Sequence, residues 1–263
     1  MSIFNRFIMG KIVLITGATS GFGKAAAYKF AAKGYDLIIN GRRTERLDQL
    51  AAALESKYNV AVLALPFDVR DEQAVFNSFA SLPEDWKAID VLVNNAGLAL
   101  GRDYFEEASL EDWNTMIDTN IKGVMYVARA AALLMIPRKQ GHIINLGSIA
   151  GKEVYEKGNM YCATKAAVDA LSEAMRIDLL RHCIKVTAIH PGAAETEFSL
   201  VRFKGDPVQA KKIYEGLTPL TGDDVADVIF YCASLPPHVC INDLTLTPLR
   251  QANSFYYNRD TNA

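Results

Sequence analysis

The stretch KIVLITGATSGFG, residues 11–23, joins a short apolar run to a glycine-rich segment. The apolar run predicts a buried strand, and the alanine-rich residues that follow the glycines predict a helix. Glycines between a strand and a helix permit positive φ angles, and the free N–H groups of the helix N-terminus attract a pyrophosphate. The spacing is G-x-x-x-G-x-G rather than G-x-G-x-x-G, and a tight turn without a ligand is the alternative. The residues predicted to hold a dinucleotide here are Gly17, Thr19, Ser20, Gly21, Phe22 and Gly23.

Outward from this turn, strand-like and helix-like segments alternate along the chain. Further strands are predicted at 36–40, 60–69, 89–97, 142–148, 184–192 and 243–249. Helices are predicted at 23–34, 44–58, 71–82, 110–136, 206–217 and 222–235, and around Tyr161. Continuously apolar strands separated by helices are typical of a parallel sheet covered on both faces. We therefore predict one α/β domain, residues 1–263, with a doubly wound Rossmann fold.

The composition limits the classes of function. The chain has 263 residues, of which 50% are hydrophobic and 22% charged, and its formal net charge is −2. This charge gives no bulk attraction to nucleic acid or to an anionic membrane. No window approaches the roughly 20 apolar residues of a membrane span, and Arg6 interrupts the short apolar N-terminus. The four cysteines form no CxxC pair, so we expect reduced thiols, no metal site and a cytoplasmic protein.

Two arginines, Arg42 and Arg43, follow the second predicted strand. Sites that bind NAD usually carry an acidic residue at this place, which holds the ribose hydroxyls. A guanidinium instead grips a 2′-phosphate through charge-assisted hydrogen bonds. A solvated basic start to a helix is the alternative, although cations are unfavourable at a helix N-terminus. The pair favours NADP (NADPH) over NAD.

The third and fourth strands end in FDV and NNAG. Ligands of such sheets lie at the carboxyl ends of the strands, so both segments are predicted to border the nucleotide. Asp68 is placed to accept from the adenine amino group. Asn94 either lines the cofactor or fixes the turn. The predicted cofactor residues here are Asp68, Val69, Asn94, Ala96 and Gly97.

Tyr161 and Lys165 are four positions apart in GNMYCATKAAVDAL, residues 158–171. On a helix this spacing puts both side chains on one face, a turn apart. A tyrosine packed on a lysine stem at the surface gives the same spacing. Ser148, just beyond the fifth strand, is predicted at the same edge of the sheet. Asn120 lies within the long predicted helix, where asparagine is a poor helix former and marks a local break.

Taken together, these motifs resemble the short-chain dehydrogenase/reductase family. The resemblance spans residues 11–250 and rests on TGATSGFG, NNAG, Asn120, Ser148, the segment from Tyr161 to Lys165, and the Pro191-Gly192 turn. It implies a catalytic set of Asn120, Ser148, Tyr161 and Lys165.

The resemblance implies a role for each of these residues. Tyr161 is the general acid/base, and a nearby ammonium together with the positive nicotinamide of the oxidised cofactor is expected to lower its pKa from about 10. Lys165 supplies that charge and holds the nicotinamide ribose, Ser148 donates to the substrate oxygen, and Asn120 anchors a water in a proton relay. Pro191, Gly192 and Thr196 match a PGxxxT pattern whose threonine contacts the nicotinamide carboxamide. The motif assigns no role to His190, which is interpreted as structural.

The segment TEFSLVRFKGD, residues 196–206, resembles the branch of NADP-dependent 3-hydroxy acid dehydrogenases. This branch oxidises small hydroxy acids such as serine or allo-threonine. Arg202 and Lys204 lie on the expected substrate loop, about 193–217, and either meets a substrate carboxylate or is a surface charge. The predicted substrate contacts are Ser148, Tyr161 and Arg202.

Two other functions fit the sequence. One is a reductase of 3-oxoacyl thioesters or of general ketones and aldehydes, since loop residues decide substrate choice. The other is a cofactor-binding regulatory protein without turnover, against which the complete catalytic set argues. The resemblance also implies a homodimer or homotetramer, and the apolar helix 124–136 fits such an interface or an ordinary core position.

Overall fold

The computed structural model describes residues 10–260, so most of the predicted N-terminal extension lies outside the described residues. Its seven strands are β1 Ile12–Ile15, β2 Asp36–Gly41, β3 Val62–Pro66, β4 Ile89–Asn94, β5 Gly141–Leu146, β6 Ile184–Pro191 and β7 Asp243–Leu246. They form one parallel sheet in the order β3-β2-β1-β4-β5-β6-β7. The strand order changes direction between β1 and β4, and ligands of open α/β sheets bind at such a point.

Helices cover both faces of the sheet. They are α1 Gly21–Ala31, α2 Thr44–Tyr58, α3 Glu72–Ala80, α4 Leu110–Ile117, α5 Val124–Met135, α6 Asn159–Leu179, α7 Glu197–Arg202, α8 Pro207–Lys212 and α9 Gly222–Ser234. On one face, Phe30 of α1, Leu47 of α2 and Ile229 of α9 are fully buried in one apolar cluster. On the other, Val75 of α3 and Val127 of α5 are fully buried in a second cluster. The predicted doubly wound fold is confirmed.

The region after β6 differs from its prediction. One helix was expected at 206–217, but α8 ends at Lys212 and a separate helix, α7, precedes it. Asp206 begins α8, because its side chain accepts hydrogen bonds from the N–H groups of Val208 and Gln209. Pro207 at the first helical position fixes φ without losing a needed donor. The predicted substrate loop therefore contains two short helices.

The long helix expected at 110–136 has the expected break. It consists of α4, a π-helical turn at Asp118–Gly123 that contains Asn120, and α5. Single π turns inside α-helices are rare and often occur at functional sites. The break predicted from Asn120 is thus confirmed.

The same stretch contradicts one expectation. By length and composition alone, Leu110–Arg138 is apolar enough to cross a membrane. However, 56% of its most apolar window is buried inside the protein. Val127, Ala131 and Met135 are fully buried in the cluster beneath the sheet. A core helix that packs on a sheet through many alanines and valines is as long and as apolar as a membrane-spanning helix.

His142 on β5 gives a prediction about stability. Its Nε2 lies 2.7 Å from Thr187 Oγ1, and burial, with Lys185, lowers its pKa to about 3. The folded protein therefore keeps this imidazole neutral at a pH where the unfolded chain binds a proton. The free energy of unfolding should fall as the pH drops below 6.5, by up to about 1.4 kcal/mol per pH unit from this group. Urea unfolding of the wild type and His142→Gln at pH 7, 6 and 5 measures the slope, and equal slopes would show that His142 is not responsible.

Candidate active site

A cavity of about 570 Å³ lies at the carboxyl ends of β1, β2 and β4. This is the edge at which the sequence predicts the dinucleotide. The predicted residues that line it are Gly17, Thr19, Ser20, Gly21, Phe22, Arg42, Arg43, Asp68, Val69, Ala96, Gly97, Tyr161, Lys165 and Thr196.

The glycine turn after β1 fits a nucleotide phosphate. Gly17 and Gly21 have φ angles of 64° and 50°, and a side chain at Gly17 would come within 3.1 Å of the Ala96 Cα atom. Gly23 does not line the cavity. A Cβ atom there would lie 2.4 Å from the Gly17 carbonyl oxygen, so Gly23 permits close packing of α1 on the turn rather than direct contact with the cofactor.

Cationic side chains surround the end of β2. Arg43 donates from Nη2 to Thr19 Oγ1 at 3.0 Å, while the Arg42 side chain is 63% exposed and lies 3.9 Å from an Asp68 oxygen. Burial opposes ionisation of Asp68, but its hydrogen bonds with Arg70 and the charges of Arg70 and Arg42 hold its pKa below the usual value. Since each guanidinium has five N–H donors, both Arg42 and Arg43 keep donors for an additional anion.

Asn94 was predicted either to line the cofactor or to fix the turn, and its side chain does not line the cavity. Its side chain is buried, donates to the Val124 carbonyl at 3.0 Å and lies 3.3 Å from Asn145 Oδ1. The amide thus connects β4 to α5 and to β5. The neighbouring Asn95 lines the cavity instead and joins β4 to β1 through Thr16. The NNAG motif offers both asparagines, and only the direction of each side chain distinguishes them.

Tyr161 and Lys165 line the inner end of this cavity, and Ser148 lies beside Tyr161 in the wall of an adjoining cavity. Tyr161 and Lys165 lie in the first two turns of α6, and the Lys165 Nζ atom is 6.0 Å from the centre of the Tyr161 ring. Lys165 also donates to the Leu146 carbonyl at the end of β5, at 2.8 Å. Ser148 begins the 3₁₀ turn after β5 and accepts from the N–H of Ala150 at 3.1 Å. The structure therefore brings together the three residues that the sequence placed at one edge.

Burial dominates the titration of these groups. It lowers the pKa of the Lys165 ammonium to about 8. It raises the pKa of the Tyr161 hydroxyl above its ordinary value, with Tyr155 acting in the same direction, while a hydrogen bond with Ser148 and the charge of Arg202 oppose the rise. For the protein groups alone, desolvation of a phenolate in this site exceeds the local stabilisation. The expected lowering, which includes the positive nicotinamide, stays a prediction.

Asn120 lies behind the cavity rather than in its wall. Its Oδ1 accepts from the N–H of Leu98, and its Nδ2 donates to the Leu98 carbonyl and to Thr164 Oγ1. These bonds tie the π turn to the segment after β4 and to α6. A Cβ atom on Gly97 would lie 3.2 Å from Asn120 Oδ1 and 3.5 Å from Lys165 Nζ, so both atoms border that glycine.

A second cavity of about 780 Å³ adjoins the first. Pro191 and Gly192 line this cavity and not the nucleotide cavity where they were predicted, because the turn after β6 faces the loops above the sheet. Tyr161 and Thr196 line both cavities. Sequence reasoning missed other residues of its wall, among them Tyr155, Gln251 and Ser254.

Arg202 projects from α7 into this second cavity. Its guanidinium carbon lies 5.3 Å from the centre of the Tyr161 ring and 5.6 Å from that of Tyr155. Nη2 donates to the Tyr155 hydroxyl at 2.9 Å, and Nε donates to the Gly101 carbonyl at 3.4 Å. Since a guanidinium has five N–H donors, others are left for a ligand. The arginine predicted on the substrate loop thus reaches the catalytic tyrosine.

Ion pairs tie the segment that carries Arg202 to the rest of the protein on two sides. Glu197 of α7 lies 3.6 Å from Arg46 of α2, on the nucleotide side. Lys204 lies 2.8 Å from Asp112 of α4. In this arrangement Lys204 forms a surface ion pair with a carboxylate, while Arg202 reaches into the cavity. We call residues 193–217 the capping segment.

His190 lies beneath Ser148 and outside both cavities. Its Nδ1 is 3.3 Å from the Ser148 carbonyl oxygen, and its Nε2 is 2.9 Å from Asp243 and 3.4 Å from Asp169. Asp169, His190 and Asp243 are close enough to hold a metal ion. The Lys152 ammonium, however, already lies 2.8 and 2.7 Å from the two carboxylates. This arrangement supports the structural interpretation of His190.

Comparison with known proteins identifies the class of this site. A family model described as short chain dehydrogenase matches residues 11–205. The chain belongs to the short-chain dehydrogenase family. The matched residues include the glycine turn, Ser148, Tyr161 and Lys165.

Named relatives within the short-chain dehydrogenase family cover nearly the whole chain. The NADP-dependent 3-hydroxy acid dehydrogenase YdfG of Salmonella typhi is 49% identical over 92% of this chain and 96% of its own. Sulfoacetaldehyde reductase 2 of Chromohalobacter salexigens is 48% identical over 96% of this chain and 100% of its own. Among solved structures, the closed form of a serine dehydrogenase complexed with NADP⁺ matches with a TM-score of 0.88 and 46% identity, covering 95% of this chain and 99% of that one.

Proposed function

We propose that this short-chain dehydrogenase oxidises small 3-hydroxy acids of the serine or allo-threonine type with NADP⁺ and reduces the corresponding 3-oxo acids with NADPH. The observation that carries this proposal is the position of Arg202, whose guanidinium lies 5.3 Å from the Tyr161 ring in a cavity shared with Ser148. A carboxylate held at Arg202 puts the hydroxyl on its β-carbon next to Tyr161. The names of the relatives support the same substrate class.

In this proposal Tyr161 exchanges a proton with the substrate oxygen. Ser148 Oγ donates a hydrogen bond to the same oxygen and so stabilises the negative charge that develops there. Because burial raises the pKa of the Tyr161 hydroxyl, the tyrosine is held protonated and is suited to donate in the reductive direction. In the oxidative direction the charge of Arg202 and the hydrogen bond with Ser148 favour the phenolate.

Lys165 and Asn120 support this proton transfer. With a pKa near 8, Lys165 carries its charge at neutral pH and gives it up as the pH rises above 8. Its ammonium holds the nicotinamide ribose and moves protons toward the region of Gly97, which Asn120 also borders. The hydrogen bonds of Asn120 to Leu98 and Thr164 fix the π turn beside this path.

The cofactor is NADP. Gly17, Thr19, Ser20, Gly21 and Phe22 would hold the pyrophosphate, Arg42 and Arg43 the 2′-phosphate, and Asp68 and Val69 the adenine side. Ala96, Gly97 and Thr196 border the nicotinamide side. When bound, the nicotinamide accepts or supplies the hydride. The chain supplies binding, orientation and the proton.

The remaining predictions concern the assembly. We infer a single domain, residues 1–263, with the capping segment over the substrate, working as a homodimer or homotetramer in the cytoplasm without nucleic-acid or membrane partners. Large apolar side chains are exposed on α5 and α6 and offer surfaces for self-association: Met125, Leu133 and Ile177.

Replacing Arg202 with Ala tests the substrate assignment. Loss of the guanidinium should raise the KM for a 3-hydroxy acid by at least about 10-fold, which corresponds to one charge-assisted hydrogen bond. The methyl ester of the same acid should be affected far less. Comparing kcat/KM for acid and ester in wild type and variant isolates the charge effect. An equal reduction of kcat/KM for acid and ester would show that Arg202 does not bind the carboxylate. A higher kcat/KM of the wild type for the ester than for the acid would favour a general ketone reductase.

A sulfonated aldehyde is a second candidate substrate. It is favoured by the 48% identity to sulfoacetaldehyde reductase 2 over 96% of this chain. A guanidinium binds a sulfonate through the same paired N–H groups that bind a carboxylate. Reduction of sulfoacetaldehyde with NADPH, compared with that of a 3-oxo acid under the same conditions, separates the two candidates.

A further inference from the structure

The second cavity carries more positive charge than a single carboxylate requires. One carboxylate, that of Glu156, lines it. Five cations line it: Arg102, Lys157, Arg202, Lys212 and Arg259. Within residues 10–260, none of these five forms a salt bridge with a carboxylate. A cavity with unpaired charges of one sign concentrates ligands of the opposite sign.

Arg202 is the cation at the inner end of this cavity. This arginine is only 8% exposed, and the Tyr155 hydroxyl and the Gly101 carbonyl hold its guanidinium beside Tyr161. A carboxylate pairs with one guanidinium through two parallel N–H donors. The carboxylate of a 3-hydroxy acid therefore uses Arg202 and leaves the outer cations without a counter-ion.

Two of the outer cations lie near tyrosine rings that line the cavity. The Arg102 guanidinium is 5.8 Å from the Tyr155 ring centre, and Arg202 approaches the same ring at 5.6 Å. Arg259 lies 4.9 Å from the Tyr257 ring centre. Burial raises the pKa of Tyr257, and the charges of Arg259 and Arg102 both oppose that rise. Arg102 and Arg259 thus belong to one electropositive group beyond Tyr155.

Ser254 adds an unsatisfied polar group to the same wall. This serine is 9% exposed and lines the cavity, and its Oγ has no hydrogen-bond partner within residues 10–260. Its position is fixed, since its backbone N–H donates to Glu153 at 2.8 Å. Burying an unpaired hydroxyl is unfavourable. In this rotamer the Oγ atom is itself buried, and rotation about the Cα–Cβ bond is what brings it to an oxygen of a ligand in the cavity.

We propose that Arg102, Ser254 and Arg259 form a second anion-binding subsite, and that this enzyme prefers 3-hydroxy dicarboxylic acids to 3-hydroxy acids with one carboxylate. This inference rests on the proposed function. The first carboxylate lies at Arg202, the hydroxyl at Tyr161 and Ser148, and the second carboxylate at the outer subsite. The C3 hydride goes to NADP⁺ and the hydroxyl proton to Tyr161, which gives the 3-oxo diacid and NADPH.

The test compares 3-hydroxyadipate with 3-hydroxyhexanoate, which has the same carbon chain and one carboxylate. The wild type should show a kcat/KM for the diacid at least about 10-fold higher. Arg102→Ala should remove most of this preference and change kcat/KM for the monoacid by less than about 3-fold, because the carboxylate of the monoacid binds at Arg202 and Arg102 lies over the outer ring, that of Tyr155. Ser254→Ala should reduce the preference in the same direction. Arg181→Ala, which removes an exposed arginine of the turn after α6, should leave it unchanged.

Equal kcat/KM values for the two acids in the wild type would overturn the inference while leaving the proposed function intact. If neither acid is oxidised, the proposed function fails, and binding of the unreactive diacid adipate to the NADP-loaded enzyme decides the subsite by calorimetry. Adipate bound more tightly than hexanoate, with the difference abolished in Arg102→Ala, supports the subsite. Equal affinities overturn it.

Discussion

Replacing Tyr161 with Phe should lower turnover by about 100-fold or more, the usual effect of losing a general acid/base. The substitution keeps the ring that packs against Phe198, with ring centres 5.6 Å apart, and removes only the hydroxyl. NADP should therefore bind with unchanged affinity. Steady-state kinetics with a 3-hydroxy acid and a fluorescence titration of NADPH measure the two quantities separately.

Tyr231→Phe is the matched control for this variant. Tyr231 lies on α9, is 56% exposed and lines neither cavity, so the loss of its hydroxyl should not change kinetics or binding. Near-normal turnover in Tyr161→Phe would contradict the assignment of the proton donor. Loss of turnover together with loss of NADPH binding would indicate a damaged site rather than a missing proton.

Replacing Arg42 and Arg43 together with Ser should weaken NADP binding by about 1.5–3 kcal/mol for each charge-assisted hydrogen bond to the 2′-phosphate that is removed, or roughly 10- to 150-fold per bond. NAD, which has no 2′-phosphate, should bind almost as before. The NADP affinity should also become much less dependent on ionic strength, because the interaction is between charges near the surface. Titrations of both cofactors into the double variant and into Arg181→Ser, a remote arginine variant, measure the effect. Equal reductions in affinity for NADP and NAD would assign the arginines to structure or to general attraction.

The elements predicted best are those specified by local sequence. Gly17 and Gly21 adopt the positive φ angles that the glycine-rich turn implied, and the alternation of apolar strands with helices gave the parallel sheet. The break at Asn120 was also predictable, because an asparagine within a helix competes for backbone hydrogen bonds. These features depend on residues close to one another in the chain.

The features that were missed depend on packing between distant segments. Whether Asn94 or Asn95 faces the cavity depends on the partners that α5 and β5 offer, 30 and 51 residues further along the chain. The raised pKa of Tyr161 depends on how completely the neighbouring elements exclude water. Ser254 enters the site from the end of the described chain, and no motif around it marks a ligand contact.

The two cavities share a wall, and this has a consequence for the order of events in catalysis. Thr196 and Phe198 of the capping segment line both cavities, and Glu197 between them pairs with Arg46 on the nucleotide side. A nucleotide that contacts this wall orders the surface against which the hydroxy acid then packs. We therefore expect compulsory-order kinetics, in which NADP⁺ binds first and NADPH dissociates last. At high concentration a 3-oxo product would trap the NADP⁺ complex in a dead-end state, so the rate would be governed by the ratio of oxidised to reduced nucleotide as well as by the supply of hydroxy acid.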